Sequence, residues 1–289
     1  MKRYIPLDIL RGISIFGMVF SAIIPYGVLP YWMYHIQTPP PSHQFDPSIS
    51  GISWVDMVFP IFIFCMGVAI PIANRKKMDG VNFKRDFLIG TFKRFLMLWL
   101  FSYLYVITNF SNINDWRAQL LTLFGFFGLF ILYLILPKKS GAKQGLIIRV
   151  LSIFIIGVTV ALGYFIFDRV VTVHRSGIII FLLAFLYLFG ALIWFYTKSS
   201  LKSRFIVWIG LIVLAAVTMP FEIQQYLYSL KEIRWFFNLE SLYFLIILVP
   251  ATVLGDRLYD KLTRGSVNEM GNLGRIKMWY VNNRVELLS

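Results

Sequence analysis

Charge is scarce in this chain, and carboxylates are scarcest. Only 15% of its 289 residues are Asp, Glu, Lys or Arg, with 14 acidic residues against 28 basic ones. Soluble domains carry about a quarter charged residues, so an ordinary water-soluble fold is excluded. Cysteine occurs once, as Cys65 inside an apolar run. That rules out an internal disulfide and any CxxC motif, and it fits a small buried packing residue. Soluble-enzyme signatures are missing too: there is no phosphate loop, no dinucleotide glycine pattern before a strand, no HExxH and no GxSxG. No arginine ladder suggests a voltage sensor, and no internal repeat of the kind found in secondary transporters stands out. Residues 1–24 lack a small-residue cleavage site, and Arg11 interrupts their apolar run. A retained first helix is therefore expected, not a cleaved signal peptide.

What the chain has in abundance is apolar side chain: 58% hydrophobic and 18% aromatic, with a mean hydropathy of +0.71. Lipid is the solvent that accommodates such a composition. The expected fold is all-α, a polytopic bundle of about eight spanning helices near 7–24, 55–73, 92–108, 119–137, 148–167, 177–196, 204–220 and 240–256, each near the length needed to cross about 30 Å of hydrocarbon. Residues 1–256 form the expected membrane domain and 257–289 a basic tail.

The formal net charge of +14 would suggest nucleic acid in a soluble protein. Here the basic residues sit in short segments between apolar runs, which points to membrane lipid and topology, with no nucleic-acid partner. The 25–54 loop has no Lys or Arg, whereas the next loop holds Arg75, Lys76, Lys77, Lys84 and Arg85. The loops at 138–147 and 197–203 and the tail are basic as well. The positive-inside rule then puts both termini in the cytoplasm.

A few polar residues do not suit a plain lipid-facing helix. Asp8 and Arg11 are three apart and share a face of the first helix. Arg11 either snorkels to the interface or pairs with Asp8 toward a cavity. The first exterior loop contains His35 and His43, with Pro39, Pro40 and Pro41 between them and Tyr31, Trp32 and Tyr34 before. Those aromatics fit an interfacial belt, but the loop has no packing need for imidazole. Asp56 opens the second helix, where it favours the positive helix end or orients a histidine by bonding one ring nitrogen. Pro60 and Pro71 imply irregularity in that helix. His174 lies in a short exterior loop, and 221–239 reads as an amphipathic interfacial helix.

Three segments together, LDILRG at 7–12, the loop ending SHQF and then GISWVD, and VDMVFPIFIFCMGVAIPIA at 55–73, resemble the heparan-alpha-glucosaminide N-acetyltransferase family and its bacterial relatives. WFFNLESLYFLIILVPATVLGD at 235–256 is similar to a later helix of that family. Between about 95 and 230 the likeness is one of hydropathy and loop spacing alone.

The resemblance implies a transmembrane acyl transfer, with acetyl-CoA or another acyl-CoA as cytoplasmic co-substrate and an extracytoplasmic sugar or glycan as acceptor. It also implies a bacterial cytoplasmic membrane. His35 and His43 lack the carboxylate or cysteine cluster of a strong zinc site, so no metal is expected. By motif order, His43, Gly51 and Asp56 match the family's essential histidine and the glycine and aspartate that follow it, with His35 as the competing base. Direct transfer and an acyl-histidine intermediate both remain open at this stage. Asp8 and Arg11 are candidate donor-binding residues, and Lys76, Lys77, Lys84 and Arg85 candidate contacts for the nucleotide part. A sugar or lipid-linked glycan transporter and a non-catalytic subunit are the alternatives. Chain length does not decide between monomer and homo-oligomer.

Overall fold

The computed structural model of the protein describes residues 4–44, 46, 48–75, 78, 82–110, 113–134, 142–168, 178–218 and 243–263. Lys76, Lys77, His174, the 221–239 segment and the tail beyond 263 lie outside the described residues. Within the described residues all regular structure is helical. The long helices are α1 (Ile5–Ile23), α2 (Trp54–Asn74), α3 (Phe83–Ile107), α4 (Trp116–Leu134), α5 (Ala142–Phe167), α6 (Ile178–Thr197) and α7 (Leu201–Thr218). An eighth, α8, occupies 245–263, and a short 3-10 turn covers Tyr31–Met33. Six of these, α2 through α7, are long and apolar enough to cross a membrane. The protein is therefore a polytopic helical membrane protein, the architecture that satisfies backbone hydrogen bonds within each spanning segment.

Helix boundaries differ from the hydropathy windows where charge and helicity part company. α3 starts at Phe83, not near 92, because Lys84, Arg85 and Asp86 occupy its first turn. Those side chains lower hydropathy without disturbing the backbone ladder. α8 likewise continues to 263 through Arg257, Asp260 and Lys261. Pro60 and Pro71 both lie inside α2, which stays continuous from Trp54 to Asn74.

The chain forms two compact units. One comprises Met1–Phe87, Phe189–Ile212 and Phe244–Ser289; the other comprises Leu88–Leu188 and Val213–Tyr243. In the first unit α2 and α8 run parallel at backbone contact. A Cβ on Gly67 would meet the Leu248 carbonyl oxygen at 2.6 Å, and one on Gly255 would meet the Val68 carbonyl oxygen at 2.4 Å. Small residues are what let helix backbones approach this closely. α6 runs the same way, with Gly190 against Leu248 and Trp194 against Asp256. α7 runs opposite to them, with Arg204 on Asp256 and Trp208 on Ile246. α1 opposes α2, with Gly17 against Val58. The start of α1 and the end of α8 consequently lie at the same end of this unit.

Two details show how polar groups are satisfied there. Pro250 has no N–H to donate to the Ile246 carbonyl one turn back; the Trp208 indole N–H takes that carbonyl instead, at 2.9 Å. At the end of α8, Asp256 accepts from the Arg204 guanidinium at 2.7 Å and from the Trp194 indole at 3.3 Å. Arg75 lies 3.6 Å from the same carboxylate and donates to Asp260 at 2.7 Å. Arg204 is 2% exposed and also donates to the Thr197 hydroxyl. Four helices thus meet at one carboxylate.

The second unit is built on the same small-residue logic. Gly125 of α4 faces Thr108 and Thr159, and Gly128 faces Ile155 and Ile156 of α5. Phe110 is buried against Gly163. Tyr133 donates to the Met97 carbonyl at 3.0 Å, and Arg94 stacks over Tyr187.

Gly255→Ala is expected to lower stability by about 1–3 kcal/mol through overpacking, while Gly210→Ala, with open space around its Cβ, is neutral or slightly stabilising. Thermal unfolding in detergent distinguishes them, and equal melting temperatures would contradict the α2–α8 contact. Asp256→Ala leaves the Arg204 charge buried and is expected to cost about 3–5 kcal/mol. Denaturant titration reads that loss, and a change below about 1 kcal/mol would show that the carboxylate does not carry the cluster.

Candidate functional site

The loop between α1 and α2 is folded around Tyr34. Its hydroxyl accepts from the backbone N–H groups of Val28 and Leu29 and donates to the Pro25 carbonyl, at 3.1, 2.8 and 2.8 Å. Tyr34 is therefore buried as an organiser of the loop, whereas Trp32 stays exposed as a belt residue would. The Trp54 indole N–H donates to the Met33 carbonyl at 2.8 Å and ties the loop to the first turn of α2. Asp46 N–H to the Gln37 carbonyl closes the middle of the loop.

Asp56 is the third residue of α2 and completes a capping box with Ser53. One carboxylate oxygen accepts from the Ser53 N–H and hydroxyl, at 2.7 and 2.9 Å. The other lies 2.9 Å from His35 Nε2. A carboxylate oxygen accepts, so in this bond His35 Nε2 is the donor. His35 Nδ1 is buried within the protein.

His43 is held differently. Its backbone has φ 49°, a left-handed conformation that a non-glycine residue adopts at a cost of about 1–3 kcal/mol. The turn from Pro39 supports it, with the His43 N–H donating to the Pro39 carbonyl at 2.9 Å. The ring stacks on Tyr26, centroids 4.4 Å apart, and meets the edge of Tyr34. Nδ1 lies 3.3 Å from the Thr38 carbonyl oxygen, which can only accept, so this bond requires a proton on Nδ1 and leaves the lone pair on Nε2. Gly51 has φ 144° and a Cβ there would sit 2.8 Å from Ile36, so both backbone and space call for glycine.

The structure thus brings Asp56 to His35, and gives His43 a backbone carbonyl in place of a carboxylate. Among the other candidates, Asp8 and Arg11 pair at 3.7 Å, each about a third exposed. Lys84 and Arg85 are exposed on the first turn of α3. Among the described residues there is no group of three or more His, Cys, Asp or Glu side chains of the kind that holds a metal. Sequence reasoning singled out neither the Arg75–Arg204–Asp256 cluster nor Lys198. The Lys198 ammonium lies over Phe83 and Phe195, at 4.5 and 4.4 Å from the ring centroids, and burial pushes it below its ordinary range. The available signal was Asp256 itself, a carboxylate at the edge of an apolar run. Its partners are far away in sequence.

Opposite tautomers are expected for the two histidines: N–H at Nε2 in His35 and at Nδ1 in His43. Nitrogen-15 NMR of histidine-labelled protein, assigned with His→Gln variants, reads them directly, and the same tautomer at both positions would contradict this geometry.

No curated protein and no solved structure matches the chain significantly. A family profile described as a domain of unknown function, DUF5009, matches residues 3–258. That match takes in α1, the histidine loop, α2 and the Arg204–Asp256 cluster, and on its extent the chain belongs to the DUF5009 family.

Proposed function

We propose that this protein is a membrane acyltransferase of the heparan-alpha-glucosaminide N-acetyltransferase type, moving an acetyl or short acyl group from cytoplasmic acyl-CoA to a sugar amine or glycan outside a bacterial cytoplasmic membrane. The observation that carries it is the state of His43: a rigidly held imidazole, its Nδ1 bound to the Thr38 carbonyl, with Nε2 left to take a proton. A general base needs that tautomer in a fixed orientation. The position is also the one that the family resemblance assigns to the essential histidine.

In this reaction His43 Nε2 removes a proton from the acceptor amine as its nitrogen attacks the thioester carbonyl. The new bond is C–N. Collapse of the tetrahedral intermediate breaks the C–S bond, and the imidazolium returns its proton to the departing thiolate. The products are an amide and free CoA thiol, and the histidine is regenerated. Asp56 acts one step back, because it holds His35 and with it the loop that presents His43.

At the opposite end the basic residues draw in the anionic donor. Arg11 and Asp8, paired, lie at the mouth of α1, with Lys84 and Arg85 on α3 as contacts for the nucleotide part. From Arg11 to Ile23 the helix rises about 18 Å, a span that an extended pantetheine arm can cover. Positive charge on this side suits a cytoplasmic face under the positive-inside rule.

Purified protein in detergent is expected to bind acetyl-CoA and to acetylate a member of an amino-sugar panel. His43→Ala is expected to lower transfer about 100-fold or more, the usual weight of general-base catalysis, with acetyl-CoA affinity retained. His35→Ala is expected to have the smaller effect. Folded wild-type protein that neither binds acetyl-CoA nor transfers its acyl group would overturn the enzyme reading in favour of transport.

A further inference from the structure

A small cavity opens between the end of α1, the loop and the start of α2. We propose that it receives the transferred acyl group and restricts the donor to two- and three-carbon acyl-CoA. The assignment rests on the acyltransferase reading and adds a substrate specificity to it.

Size is the first argument. The cavity measures about 70 Å³. An apolar cavity of ~150 Å³ accommodates benzene, with six heavy atoms. In proportion, the present one takes about three: the three heavy atoms of an acetyl group, or the three carbons of a propionyl group with its carbonyl oxygen left outside. A pyranose ring with its hydroxyls is far too large for it.

Chemistry is the second. Ile24, Leu29 and Met33 line the cavity together with the face of Trp54. Three of its polar neighbours are already engaged elsewhere. The Ser21 hydroxyl donates to the Met18 carbonyl, the Trp54 indole to Met33, and the Tyr34 hydroxyl to Pro25 while accepting two backbone N–H groups. A hydroxyl-rich ligand would leave its own groups unpaired there, at a desolvation cost; a methyl or ethyl group has nothing to lose.

Position is the third. His35 forms part of the cavity wall. So do Tyr26 and Tyr34, the two rings that pack on His43. The base that the reaction requires, His43, thus contacts two of the cavity's walls without lining the cavity itself. Leu29 and Met33 are aliphatic lining residues, and shortening either would enlarge the cavity.

The experiment is a chain-length series of acetyl-, propionyl-, butyryl- and hexanoyl-CoA, using the acceptor that wild-type protein modifies. One excess methylene in an apolar pocket is worth roughly 10- to 200-fold in kcat/KM, so wild type is expected to use butyryl-CoA at least about tenfold less well than acetyl-CoA. Met33→Ala and, as an independent variant, Leu29→Ala are each expected to raise the butyryl-to-acetyl ratio by about tenfold or more. Leu29→Phe is expected to suppress acetyl transfer with CoA affinity intact. Wild type indifferent to chain length, or a ratio unmoved in folded variants that still acetylate, overturns the acyl-pocket assignment and leaves the acyltransferase standing. No transfer from any acyl-CoA by folded wild type overturns both.

Discussion

A carboxylate at the end of a spanning helix is costly unless its charge is answered, and Asp256 is answered from three other helices. Arg204 on α7, Trp194 on α6 and Arg75 at the end of α2 all reach it. Because Arg204 is itself buried, neither partner can be removed without stranding the other. This mutual dependence fixes the register of α8 against α2 and α6, and that register is what brings Gly255 to Val68 and Gly67 to Leu248. Close packing and charge pairing therefore specify the same arrangement. Their agreement matters in lipid, where hydrophobic burial offers little drive for one helix to choose another.

The same α2 whose end is held by this cluster carries the histidine loop on its beginning. Ser53 and Asp56 cap the helix, Asp56 binds His35, and Trp54 holds Met33. The loop is thus anchored to a helix that is itself anchored some 30 Å away, by the rise of its residues. A site built on a rigid element is held more accurately than one on a free loop. Tyr34 completes the loop by satisfying three backbone groups with one hydroxyl. His43 keeps its left-handed backbone with its N–H on the Pro39 carbonyl and its ring against Tyr26 and Tyr34.

Alternating direction among neighbouring helices also bears on the proposed reaction. α2, α6 and α8 run one way in the first unit, and α1 and α7 the other, as strict crossing of a membrane requires. The two charged ends of α1 and α8 share one side, and the histidine loop lies on the other. An acyl donor and an acceptor approaching from opposite sides would each meet residues suited to them: cations for the phosphates, imidazole and an apolar recess for the acyl transfer.

The sequence by itself determined the class of the protein and roughly where the long helices of the described residues lie, because hydropathy reports preference for lipid directly. It also marked Asp8, Arg11, His35, His43 and Asp56, since ionisable residues stand out against so apolar a background. Helix boundaries were blurred where charged residues are helical, as in the first turn of α3. Only the tertiary structure decided which partners those residues take. Asp56 lies 21 residues from His35 and 13 from His43, and no spacing rule chooses between them; the fold of the Tyr34-centred loop does. The Arg204–Asp256 pair and the cavity beside Trp54 were equally hidden, because each joins segments that are distant along the chain and adjacent only after the helices have packed.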